Sequence, residues 1–150
     1  MTFRVGKSSA GFSLIELMLV LVLLGISSMI TVPLVEKGIK NREARQAAVG
    51  LAAAARELSD LARTEGFPRQ LTLNLAGNSY LAAREVQLAG NLKFVSVEGG
   101  ETTERDVRQF LFFPNGSNIG GTIRLASDTT SYAIRLHPLT GRVEVLQDRS

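Results

Sequence analysis

Leu17 to Val35 is a run of 19 residues without an ionisable side chain. At ~1.5 Å per residue it is long enough to cross a hydrocarbon core of ~30 Å. It exceeds the roughly 7–15 residues of a secretory h-region. Gly25-Ile26-Ser27-Ser28 has the small residues of a peptidase site, but Met29-Ile30-Thr31-Val32 continues the apolar run and argues against cleavage there. A chain built this way divides into a membrane segment and a remainder. The charges follow the same division. Arg4 and Lys7 precede the run and Glu16 lies at its start, so the net charge of +3 becomes 15 bases against 13 acids, or +2, from Glu36 onward. A balance that small gives no expectation of nucleic acid or an acidic substrate. The 45% hydrophobic content excludes a disordered tail, and zero Cys excludes disulfides, thiol catalysis and Cys-ligated metal.

Glu16 is the residue that needs an explanation. A carboxylate in an apolar segment costs a few kcal/mol (~2.5–3.5) unless it has a partner or stays solvated at the segment's end. The residues before it are Lys7-Ser8-Ser9-Ala10-Gly11-Phe12-Ser13-Leu14-Ile15. A short basic leader, Gly11-Phe12, Glu16 as fifth residue after Gly11, and an apolar run to Val32 resemble the type IV prepilin family, which includes the pseudopilins of type II secretion. The resemblance implies cleavage between Gly11 and Phe12 by a prepilin peptidase, and N-methylation of Phe12. It implies that Glu16 pairs with the N-terminal amine of a neighbouring subunit during assembly, consistent with the need of a buried carboxylate for a cation. It also implies a single-pass protein of the bacterial inner membrane with its C-terminal domain in the periplasm. A plain positive-inside count opposes that topology, because Lys37, Lys40, Arg42 and Arg45 follow the run. The resemblance decides it.

Pro33 removes a helix hydrogen bond and predicts a kink, and Gly25 is a second weak point. In the family a Pro here marks helix that can melt in the filament. Beyond it, Ala44, Ala48, Leu51, Ala55, Leu58 and Ala62 recur at helical period, with Arg42, Glu43, Arg56, Ser59, Asp60 and Arg63 off the stripe. Arg56 and Asp60 are spaced to pair. Gly66 and Pro68 supply a stop. Continuous from Phe12 to Thr64, the helix is about 80 Å long.

From Gln70 the period becomes two, as in Leu71, Leu73 and Leu75. Strands are predicted at Ser79–Arg84, Leu92–Glu98, Val107–Phe113, Ile119–Ala126, Thr130–His137 and Arg142–Leu146, with a loop from Glu98 to Asp106. The fold class is α+β: a long N-terminal transmembrane-plus-soluble helix packed on an antiparallel β-sheet domain. The divisions are a leader at 1–11, a transmembrane and assembly helix at 12–35, its amphipathic continuation at 36–66 and a β-sheet domain at 67–150.

The Gly-rich stretch Phe112 to Ile123 lacks a Gly-Lys-Ser/Thr ending and leads into a strand, so a hairpin accounts for it better than a phosphate loop. With Gly141-Arg142 it resembles the GspH/FimT branch of the prepilin family. His137 has no Cys and no acid cluster beside it in sequence, which gives no metal site and no triad. No nucleophile–base set stands out, so the sequence predicts neither an enzyme nor a cofactor. Two functions follow from the resemblance. One is a minor pseudopilin of a type II secretion system, with the prepilin peptidase, other pseudopilins or pilins and the inner membrane as partners. The other is a FimT-like minor pilin in pilus initiation or competence. Competence members bind DNA through Gly-Arg-x-Arg, but here Glu144 stands where the second Arg falls. DNA is therefore not expected as a partner, despite a basic patch of Arg135, Arg142 and Arg149.

Overall fold

Ser13 sets the start of the long helix, its carbonyl accepting from the amides of Glu16 and Leu17 at 3.0 and 3.1 Å. The computed structural model describes residues 12–128 and 130–148, with the side chains of 30–40 outside that description. Helix α1 covers Leu14–Glu65. It ends at Gly66, whose φ of 76° no other residue adopts as cheaply and whose amide donates to Ala62 at 3.1 Å. The start and stop fall within two residues of the expected ones. A kink from the Pro33 ring lies outside the described residues, although the helix assignment runs through that position. Among the described residues no helix is long and apolar enough to cross a membrane. The described side chains of the apolar run end at Met29.

Contacts divide the chain into two units, Met1–Glu36 and Lys37–Ser150. In the first, every described side chain from Phe12 to Met29 is exposed. In the second, the expected stripe is the core face of the helix: Ala44, Ala48, Leu51, Ala55, Leu58 and Ala62 are all buried. Ser59, read as lying off the stripe, is buried beside it at 5% exposure. Alanine at four of the six positions lets the helix backbone sit close to the sheets.

Nine strands follow among the described residues: β1 (Arg69–Asn74), β2 (Ser79–Leu81), β3 (Glu85–Gln87), β4 (Lys93–Gly99), β5 (Glu101–Glu104), β6 (Val107–Phe112), β7 (Gly121–Ala126), β8 (Ser131–Leu136) and β9 (Val143–Asp148). They form two antiparallel sheets rather than one, ordered β3-β2-β1-β6-β5 and β4-β7-β8-β9. Leu71, Leu73, Phe110 and Phe112 of the first sheet and Ile123, Leu125, Ile134 and Leu136 of the second join the helix stripe in one core.

Three expectations change. The stretch from Glu98 to Asp106 is not a loop: β4 runs on to Gly99 and β5 occupies Glu101–Glu104. β5 is exposed at every residue, so it has no apolar alternation to read, and its acids suit a sheet edge. The return strand at 79–84 is only β2, after which the chain bends and comes back as β3. The Gly-rich segment after β6 makes a tight turn, with Gly116 donating to Phe113 at 2.9 Å and Phe112 bridging Asn118, but it then leaves for the other sheet instead of closing a hairpin.

Candidate functional site

The candidate assembly segment is built from the first turn of α1. Gly11 lies outside the described residues. Phe12, next to it, is 80% exposed. Ser13 holds the N-cap position and Glu16 the third helical position, the spacing of a capping box. This role for Ser13 was legible in Ser13-Leu14-Ile15-Glu16 but is easily missed beside the apolar run. Glu16 is exposed in the first turn, where the positive end of the helix dipole favours an acid by ~0.3–1 kcal/mol. Around it Leu14, Ile15, Leu17, Met18 and Leu19 are all more than half exposed. An apolar surface this continuous marks a place that another apolar phase or protein covers. The geometry thus sets one carboxylate near an apolar helix tip, four residues after Phe12.

At the other end of the chain the basic patch is partly neutralised. Glu144 of β9 pairs in register with Arg135 of β8. Its Oε1 lies 3.2 Å from Nη2 of Arg142, and its Oε2 faces Nε2 of His137 at 3.3 Å. That ring nitrogen is buried and no well-aligned hydrogen bond reaches it. The His137 side chain, helped by Arg142 and Arg135, holds the Glu144 carboxyl below the ordinary carboxylate value. His137 therefore has an acid beside it that the sequence spacing did not reveal, because the pairing crosses the β8–β9 hairpin. Arg149 lies outside the described residues. Arg56 does not pair with Asp60 among the described residues; its Nη2 donates to the Val143 carbonyl at 2.7 Å instead.

The linkage gives a prediction. Glu144 has a depressed folded-state pKa, so its contribution to stability is present above the ordinary carboxylate value and lost as pH falls through the depressed one. Thermal melts of wild type and Glu144→Gln are expected to differ at neutral pH and converge in acid. A difference that stays constant with pH contradicts the pairing.

The family model for the prokaryotic N-terminal methylation motif matches residues 6–32. No curated protein matches the chain. Among solved structures, the minor pseudopilin EpsH from the type 2 secretion system of Vibrio cholerae is similar in fold, with a TM-score of 0.52 at 12% identity. The match covers 70% of this chain and 97% of that one. The α+β reading is therefore the observed fold, and this chain carries a type IV prepilin-like N-terminal methylation motif joined to a domain folded like a minor pseudopilin.

Proposed function

We propose that the chain is a minor pseudopilin of a type II protein secretion system. A prepilin peptidase cleaves it between Gly11 and Phe12, Phe12 is N-methylated, and the mature subunit enters the periplasmic pseudopilus beside other pseudopilins. Before assembly it is held in the bacterial inner membrane by a single span, with the β-sheet domain in the periplasm. Its role is structural rather than catalytic. The observation that carries this reading is the exposed apolar helix start with Glu16 in its first turn, immediately after the Gly11-Phe12 junction. Helix–helix packing along such a segment supplies assembly energy without any enzyme chemistry. The ion pairing of Glu144 with Arg142 supports secretion over a DNA-binding pilin, since it lowers the positive potential of the patch around Arg135 and Arg142.

N-terminal sequencing and mass spectrometry of the membrane-extracted protein test the processing step. The mature chain is expected to begin at Phe12 with one added methyl group, and to retain residues 1–11 in cells lacking the peptidase. A mature chain that begins anywhere else sinks the proposal.

A further inference from the structure

A groove of about 380 Å³ lies between the last turns of α1 and the β8–β9 hairpin. Arg56, Ser59 and Arg63 line one wall from a single helix face, at i, i+3 and i+7. Thr140-Gly141-Arg142 forms the wall opposite. The three arginines are held differently. Arg56 is anchored on the Val143 carbonyl, and Arg142 leans on Glu144. Arg63 lies flat against two glycine turns: a Cβ on Gly116 would come within 2.4 Å of its Nη2, and one on Gly141 within 3.4 Å. Among the described residues its guanidinium has no hydrogen-bond or ion-pair partner, so its donors are positioned but not engaged.

Ser59 adds a hydrogen-bonding group to the same wall. It is only 5% exposed, it lines the groove, and its hydroxyl makes no hydrogen bond among the described residues. On a helix it has the easy option of bonding back to the preceding turn, as Thr64 does to the Asp60 carbonyl at 2.9 Å. Ser59 does not take that option.

We infer that this groove receives an Asp or Glu side chain presented by another protein, held by the planar fork of Arg63 and a hydrogen bond from Ser59. Arginine suits that geometry because its parallel N–H groups match the two carboxylate oxygens. The acids of the site set the limit on the ligand. Asp60 and Glu144 also line the groove, leaving three arginines against two carboxylates, or +1. One carboxylate balances that charge, whereas a polyanion meets repulsion from both acids. That the partner is another pilin-like subunit rests on the proposed function; recognition of a carboxylate does not.

The test uses the full chain in detergent micelles, followed by NMR. The probes are a five-residue peptide with a central Glu and blocked ends, its Gln counterpart, inorganic phosphate and a single-stranded oligonucleotide. The Glu peptide is expected to shift the Arg63 side chain and the amides of residues 59 and 140–142 saturably, and the Gln peptide to leave them unmoved. Arg63→Gln is expected to weaken binding at least fivefold and Ser59→Ala at least twofold, while Arg108→Gln on β6 leaves it unchanged. Ser59→Ala removes only one oxygen and decides the matter if Arg63→Gln disturbs the fold. The inference is overturned by an absence of saturable shifts at the groove, by equal binding of the Gln peptide, by equal losses in Arg108→Gln, or by tighter binding of phosphate or oligonucleotide at the same residues. Processing at Phe12 is untouched by every one of these outcomes, so the two proposals fail separately.

Discussion

Gly121→Ala is expected to destabilise the β domain by about 3–5 kcal/mol, lowering its melting temperature by ~15 °C or more. The cause is a close approach of paired backbones. Gly99 and Gly121 face each other across β4 and β7, and a Cβ on Gly121 would come 2.3 Å from the Glu98 carbonyl oxygen. It would also come 2.7 Å from Cε1 of Phe110, a ring that is fully buried. Neither neighbour can yield easily: one is ladder backbone, the other a core aromatic in a close-packed interior. Gly121 further has φ 149°, outside the range that side-chain-bearing residues prefer. Gly90 is the control, because a Cβ there meets nothing within 4 Å. Gly90→Ala should stay within about 0.5 kcal/mol of wild type. Denaturant titration of both variants checks the pair. Equal stability of the two would show that the β4–β7 pairing tolerates a side chain at this position.

The glycines at this end of β4 also bear on what the sequence could and could not reveal. The helix stripe from Ala44 to Ala62 was legible because one face is buried and the period is regular. The strands β6 and β8 were legible because Phe110, Phe112, Ile134 and Leu136 alternate with more exposed neighbours. β5 was not, because Glu101–Glu104 buries nothing and owes its place to pairing with β6 alone. The split into two sheets was hidden for a related reason. Gly99 and Gly100, at φ 79° and 69°, carry the chain from the β4 edge of one sheet to the β5 edge of the other. In sequence such a pair of glycines reads as a turn or loop. The site shows the same contrast. Gly11, Phe12 and Glu16 form a local motif that needs no tertiary information. The groove of Arg56, Ser59 and Arg63 faces Thr140 to Arg142, more than seventy residues away, so no local pattern announces it. The helix spacing of the first three was visible, but it has the same appearance as a solvated face.

Replacement of Glu16 by Leu is expected to leave membrane insertion and cleavage intact and to abolish most assembly. Insertion should not suffer, since removing a charge from an apolar segment favours lipid by up to ~3 kcal/mol. The proposed cleavage falls at the Gly11-Phe12 bond, ahead of the helix start at Leu14. Assembly differs because, on the proposed function, it places the helix starts of neighbouring subunits in a water-poor setting. There the charged Phe12 amine of one chain and the Glu16 carboxylate of another each lack solvent, and removing one partner of such a pair costs about 2–5 kcal/mol. At ~1.4 kcal/mol per factor of ten, the incorporated fraction should fall at least tenfold. Glu16→Gln keeps the shape and loses the charge, so it should resemble the Leu variant if charge is what matters. The competing account makes Glu16 only an acid suited to a helix start, worth ~0.3–1 kcal/mol. Under that account Leu and Gln would each reduce incorporation no more than about fivefold. Measuring the membrane-inserted, cleaved and filament-incorporated fractions of the three proteins separates the accounts by magnitude. Near-normal incorporation of the Leu variant would remove the pairing role for Glu16, and a loss confined to the membrane-inserted fraction would move its role to insertion.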